Sequence, residues 1–137
     1  MLRSCGAAEL IVRLDEDQAR GKVLEWELPN HLRRKARLLF VAGRRDEAAQ
    51  ALAEAVSQRT CSPEYDYAWE ALTYDLDLAH RELNGAPALT LVRNTVQRLL
   101  THDRRPAGSS RAQEVIRALE SIGAHKEAAH LRRLSGA

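Results

Sequence analysis

The feature that most constrains this chain is a run in which two amphipathic helices meet at a glycine. Leu32-Arg33-Arg34-Lys35-Ala36-Arg37-Leu38-Leu39-Phe40-Val41-Ala42-Gly43 leads straight into Arg44-Arg45-Asp46-Glu47-Ala48-Ala49-Gln50-Ala51-Leu52-Ala53-Glu54-Ala55-Val56. Leu32, Ala36, Leu39 and Phe40 fall on one face at the helical period, and Ala48, Ala51, Leu52 and Ala55 do the same in the second segment. Gly43 supplies the backbone freedom that a helix end needs. Asp46 and Glu47 occupy the next first turn, where the helix dipole favours acids. A hairpin of this kind has one apolar face that only a neighbour covers, so such hairpins stack on one another.

Composition agrees with helix throughout. Hydrophobic residues make up 45% of the chain but aromatics only 4%, so the apolar content is Ala, Leu and Val, the residues of helix packing. The 137 residues suit a single domain able to bury its own core. A net charge of +2 gives no overall field that argues for nucleic acid. Cys5 and Cys61 belong to no Cys-x-x-Cys pair, so neither a metal knuckle nor a disulfide framework is expected, and a reducing cytoplasmic setting fits them. Arg13 and Asp15 interrupt the only apolar stretch near the start, which predicts neither a signal peptide nor a membrane span.

Along the chain, Ala7, Leu10, Ile11, Leu14 and Gln18 share one side of a helix, with Arg13, Glu16 and Asp17 opposite. Val23-Leu24-Glu25-Trp26-Glu27-Leu28 alternates instead, and a short β-hairpin from Glu9 to Leu28 is the alternative for this segment. Asn30 reads as the N-cap of the first helix of the hairpin. Ser62-Pro63-Glu64 reads as a cap, a first-turn proline and an acid, opening a long helix to Leu83 with Ala68, Leu72, Leu76 and Ala79 as its stripe. Asn84-Gly85-Ala86-Pro87 turns the chain into a helix from Ala88 to Leu100, with Leu89, Val92, Val96, Leu99 and Leu100 inward. A polar loop with Ser109 and Ser110 precedes a helix from Arg111 to Ile122, and Gly123 separates it from a last one ending at Leu134. The expectation is one all-α domain: a cap segment over 1–29, then helical hairpins over 30–62, 63–102 and 109–137.

From Leu32 to Pro63 the chain resembles the tetratricopeptide-repeat family. Leu32, Ala36, Leu39, Gly43, Ala48, Leu52 and Ala55 stand in the order of that family's large, small and turn positions. Lys35 departs from an expected Leu, and Pro63 arrives a few residues late. Around Gly123, Leu119 and Ala128 agree while Arg132 falls at a large apolar position; around Gly85 little but the turn agrees. The resemblance implies a superhelix of stacked antiparallel hairpins. It also implies a protein-interaction module, such as the partner-binding part of a bacterial regulator.

Charge is segregated. Arg33, Arg34, Lys35, Arg37, Arg44 and Arg45 gather at the first hairpin, while Glu64, Asp66, Glu70, Asp75, Asp77 and Glu82 make the central helix acidic. Such runs are either a docking face or neighbouring helices pairing with each other. Tyr65, Tyr67, Trp69 and Tyr74 cluster at one helix start, and Tyr65 and Tyr67 cannot share a face, so one of them is expected to be exposed.

The residues expected to bind a partner helix or peptide are therefore Arg33, Arg37, Arg44, Tyr65 and Tyr67, in a groove between the first helices of successive hairpins. His125 and His130 are not at metal-ligand spacing, Glu127-Ala128-Ala129-His130 is a single Glu-x-x-His, and no nucleophile elbow or phosphate loop occurs; no metal, cofactor or catalytic role is expected. The alternative function is helix-turn-helix-like binding of nucleic acid, resting on two such stretches, one around Gly123 whose second helix ends in the basic Ala128-Ala129-His130-Leu131-Arg132-Arg133 and one around Gly43. With few repeats the stack has open edges, which a homodimer would cover.

Overall fold

The computed structural model describes residues 4–59, 66–85, 87–101 and 112–135. Among these residues the chain is all-α: α1 Ser4–Ala19, α2 Leu28–Val41, α3 Arg45–Gln58, α4 Asp66–Leu83, α5 Leu89–Thr101, α6 Ala112–Ser121 and α7 His125–Ser135, with a single 3₁₀ turn, Glu25–Glu27, before α2. The caps expected at Ser62-Pro63-Glu64 and at Ser109 and Ser110 lie outside the described residues.

The N-terminal segment is helical where a β-hairpin was the alternative, and no strand occurs among the described residues. Ala7 and Ile11, one turn apart on α1, are buried, whereas Leu24 and Trp26, which suggested a strand, are exposed on the connection to α2. Helix wins because it gives α1 a stripe that α2 covers. Lys35 of α2 adds an ion pair to Asp15 at 2.6 Å. The start of α2 also differs from the expected one. Glu27 holds the N-cap place and Pro29 falls in the first turn, so Asn30 lies inside the helix and its side chain is used elsewhere.

The turn between α2 and α3 is built from four backbone bonds. Ala42 N–H donates to Leu38 O (2.9 Å), Gly43 to Phe40 O (3.1 Å) and Arg44 to Leu39 O (2.9 Å), after which Ala48 N–H donates to Arg44 O (3.0 Å) and the next helix is under way. The same set recurs between α6 and α7: Ile122 to Ala118 O, Gly123 to Glu120 O, Ala124 to Leu119 O, and Ala128 to Ala124 O. Gly43 and Gly123 take φ of 79° and 80°, the left-handed conformation that closes this helix end. At these two turns Ala48 and Ala128 are buried just after the glycine, so the paired helices meet through methyl groups. The turn between α4 and α5 is of another kind, since Asn84 (φ 25°) and Gly85 (φ 83°) are both positive.

Accordingly α4 and α5 touch each other less than they touch other helices. The helix α4 packs on α6 and α3, and α5 on α3 and α7, while the two flanking pairs, α2 with α3 and α6 with α7, pack closely along their length. One continuous core results, running from Ile11 through Leu39, Leu52, Leu72, Leu76 and Val92 to Ile116, Leu119 and Leu131.

Nothing lies within 4 Å of a Cβ added at Gly43 or Gly123, so any cost of substitution there comes from the backbone alone. Gly43→Ala and Gly123→Ala are each expected to lose about 1–2 kcal/mol, and Gly43→Asn less, as read from the urea midpoint at unchanged slope.

Candidate protein-binding groove

Arg33, Arg37 and Val41 follow one another at four-residue intervals on α2 and make a stripe toward α4. Arg37, Phe40 and Val41 face Leu78, Arg81 and Glu82 of α4 across a groove with a volume of about 410 Å³. Leu78 is buried and Phe40 half-buried against the core, so the floor is apolar, while Arg37, Val41, Arg81 and Glu82 are exposed at the rim. Arg81 is paired with Asp77 at 3.1 Å on its own helix. Arg37 has no carboxylate partner among the described residues. Beyond it, Arg33 extends the stripe: its Nη1 donates to Ala71 O at 3.3 Å and to Asp75 Oδ1 at 3.4 Å, and its Cζ lies 5.6 Å from the centroid of the Tyr74 ring. That ring is held by the cation yet 53% exposed.

The spacing of the groove is set from beneath. Asp75 is completely buried, and both its oxygens accept from Arg59 at the end of α3: Nε to Oδ2 at 2.8 Å and Nη2 to Oδ1 at 3.1 Å. The remaining Nη1 of Arg59 donates to Asn30 Oδ1 at 2.8 Å, which ties α2 to the same cluster. Burial pushes the Asp75 carboxyl above its ordinary range, and the hydrogen bond and charge of Arg59, then those of Arg33, act against that push. Arg33 is itself lowered, first by burial and then by the neighbouring charges of Arg59 and Arg37, with Asp75 opposing. At the far end, Arg45 Nη2 donates to Glu82 O at 2.7 Å and fixes the start of α3 to the end of α4.

The groove therefore brings together two of the five residues expected to bind a partner, Arg33 and Arg37. Arg44 does not join them. It sits at the turn, and its Nε and Nη2 bind Glu47, the latter at 2.9 Å, a bond that holds the Glu47 carboxyl below its ordinary value. Tyr65 lies outside the described residues, and of Tyr67 only the backbone, in the first turn of α4, is within them. The exposed aromatic at the groove is Tyr74. Arg33 answers both readings of its charge run at once, since it pairs with the acidic helix and still edges the groove.

Sequence reasoning passed over Arg59 and the burial of Asp75. One signal was present: Asp75 is three residues after Leu72 and beside Leu76, inside the apolar stripe of α4, where an acid needs a buried partner. The basic end of α7, on which the nucleic-acid alternative rests, has Leu131 buried and Arg132 exposed, with Arg132 Nη2 donating to Glu120 of α6 at 3.1 Å. Among the described residues no group of three His, Cys, Asp or Glu stands together as a metal site, and no helix is long and apolar enough to cross a membrane. No protein-family model, curated protein or solved structure matches the chain.

Removing one member of a buried ion pair strands the other. Arg59→Ala is expected to cost about 3–5 kcal/mol in denaturant unfolding. Arg33→Ala should cost less, because its side chain is 21% exposed and its bond to Asp75 is longer. An Arg59→Met, Asp75→Leu double variant should recover a large part of the loss, which a double-mutant cycle reads directly.

Proposed function

We propose that the chain is a protein-binding module of tetratricopeptide-like, stacked helical hairpins, and that the groove between α2 and α4 takes a helix or extended segment of another protein. Three features support the stacking. The same four-bond turn occurs in the first and last hairpins, alanines line the close approach of α2 to α3, and α3, α5 and α7 contact in succession. The observation that carries the binding site is a cleft with an apolar floor and the uncompensated Arg37, continued one turn along α4 by the half-exposed Tyr74 beneath Arg33. Aromatic and arginine side chains are enriched among the anchors of interfaces. A partner matching this cleft carries apolar residues for Phe40, Val41 and Leu78 and a carboxylate for Arg37.

The test is capture from native lysate with Arg37→Glu and Tyr74→Ala, two exposed positions whose replacement leaves the core intact. Each is expected to weaken capture about tenfold, the equivalent of ~1.4 kcal/mol, with unchanged melting. Arg44→Glu, away from the groove, should leave capture as it was. Capture indifferent to Arg37 and Tyr74 would refute the groove. Retention of duplex DNA that falls steeply with salt would favour the helix-turn-helix alternative instead.

A further inference from the structure

Just ahead of α2 the chain holds two large apolar side chains out in solvent, with an acid between them. Trp26 is 72% exposed, more than any other large apolar side chain among the described residues, and Leu24 is 52% exposed. Their backbone is nevertheless ordered by its own bonds. Leu24 is extended (φ −69°, ψ 152°), Glu27 N–H donates to Leu24 O at 2.9 Å, and the 3₁₀ turn Glu25–Glu27 runs directly into α2. Burying the Trp26 ring would remove much apolar area from water, and because the turn is already formed, little ordering entropy opposes it. Glu25 is exposed and has no cationic partner among the described residues.

The cleft between α2 and α4 is the complement of this turn. Phe40, Val41 and Leu78 need apolar contact, Arg37 lacks a carboxylate, and the volume of about 410 Å³ has room for an indole ring. Trp26 does not reach the cleft of its own chain. The rise of α2 sets it about 16 Å from Arg37, at 1.5 Å per residue, and its turn is bonded onto that same helix. Contact between the two therefore needs a second molecule. A net charge of only +2 lets copies approach one another, so the local pairing of Glu25 with Arg37 decides how they meet.

We infer that the occupant of the α2–α4 cleft is a second copy of this chain, with Trp26 of one molecule on the floor of Phe40, Val41 and Leu78 of the next and Glu25 beside Arg37. The inference rests on the reading of that cleft as a docking site and names what docks there. The ring and the cleft are different surfaces of one chain, so the contact joins unlike patches. Its ionic part lies at the rim, where solvent screens it, and the indole carries most of the affinity.

Sedimentation velocity over a dilution series of the whole chain tests this. The wild type is expected to sediment faster as concentration rises. Trp26→Ala and Arg37→Glu, both at exposed positions and so without effect on the circular dichroism, should each weaken the association about tenfold or more. Arg44→Glu should leave it unchanged. Mixing Trp26→Ala with Arg37→Glu should give a one-to-one complex that neither forms alone, because the first keeps the cleft and the second keeps the ring. A contact of Trp26 with Trp26 would give no such complex. A wild type that stays monomeric, association undiminished by Arg37→Glu, or no complex in the mixture would each overturn the inference. If the wild type is monomeric while capture from lysate still depends on Arg37 and Tyr74, the self-docking fails and the cleft remains a docking site for another protein; if capture is indifferent to them as well, the cleft fails with it.

Discussion

One carboxylate, that of Asp75, holds three helices in register. Its two oxygens take three guanidinium bonds, two from Arg59 and one from Arg33, and Arg59 passes a further bond to Asn30. The end of α3, the start of α2 and the middle of α4 are thereby fixed around a single buried point. Such a cluster is expensive to assemble, because each charge leaves water, and it stabilises the fold only while every lone pair and N–H that has been buried is used. An apolar triplet of the same volume would serve stability as well. The polar one also fixes which turn of α4 faces which turn of α2, since a slip by one turn would leave Asp75 without Arg59. The groove above it inherits its width from that register.

The parts of the fold that were legible in the sequence are those in which apolar period and helix boundary coincide. Helices α2 and α3 read clearly because Leu32, Ala36 and Leu39, then Ala48, Leu52 and Ala55, keep step up to and away from Gly43, and all are buried. Position 30 misled because Asn is a favoured N-cap. Here a 3₁₀ turn feeds the helix from Glu27, so the amide of Asn30 is free to bind Arg59. The alternation over Val23 to Leu28 misled for a related reason: period two signals a strand only when another strand is available to pair, and Leu24 and Trp26 instead remain in solvent.

Charge was the harder reading. Arg33, Arg37 and Arg44 look alike in a run of basic residues, yet they end in three situations: one half-buried on Asp75 and Tyr74, one at a groove rim, one clasped by Glu47. What separates them is the neighbour that tertiary packing brings, residues 71–75 for the first and Glu47 for the last, and only the second of these is close in sequence. The middle connection shows the same limit. Gly85 looked like Gly43 and Gly123, but the turn there uses two positive-φ residues, and α4 and α5 then find their main contacts elsewhere.

Arg33 links the clasp to the groove, and its geometry sets how the two are coupled. Its bonds to Ala71 O and Asp75 Oδ1 are 3.3 and 3.4 Å, long beside the 2.8 and 3.1 Å that Arg59 makes to the same carboxylate. Asp75 is therefore held chiefly from the α3 side, and Arg33 is the more exposed of its two guanidinium partners. A negative charge beside Arg37 would sit within the field of Arg33 as well, while Arg59 would still supply the main donors of Asp75. Arg33 can thus shift at the surface while Arg59 keeps Asp75 paired and the helices beneath keep their register.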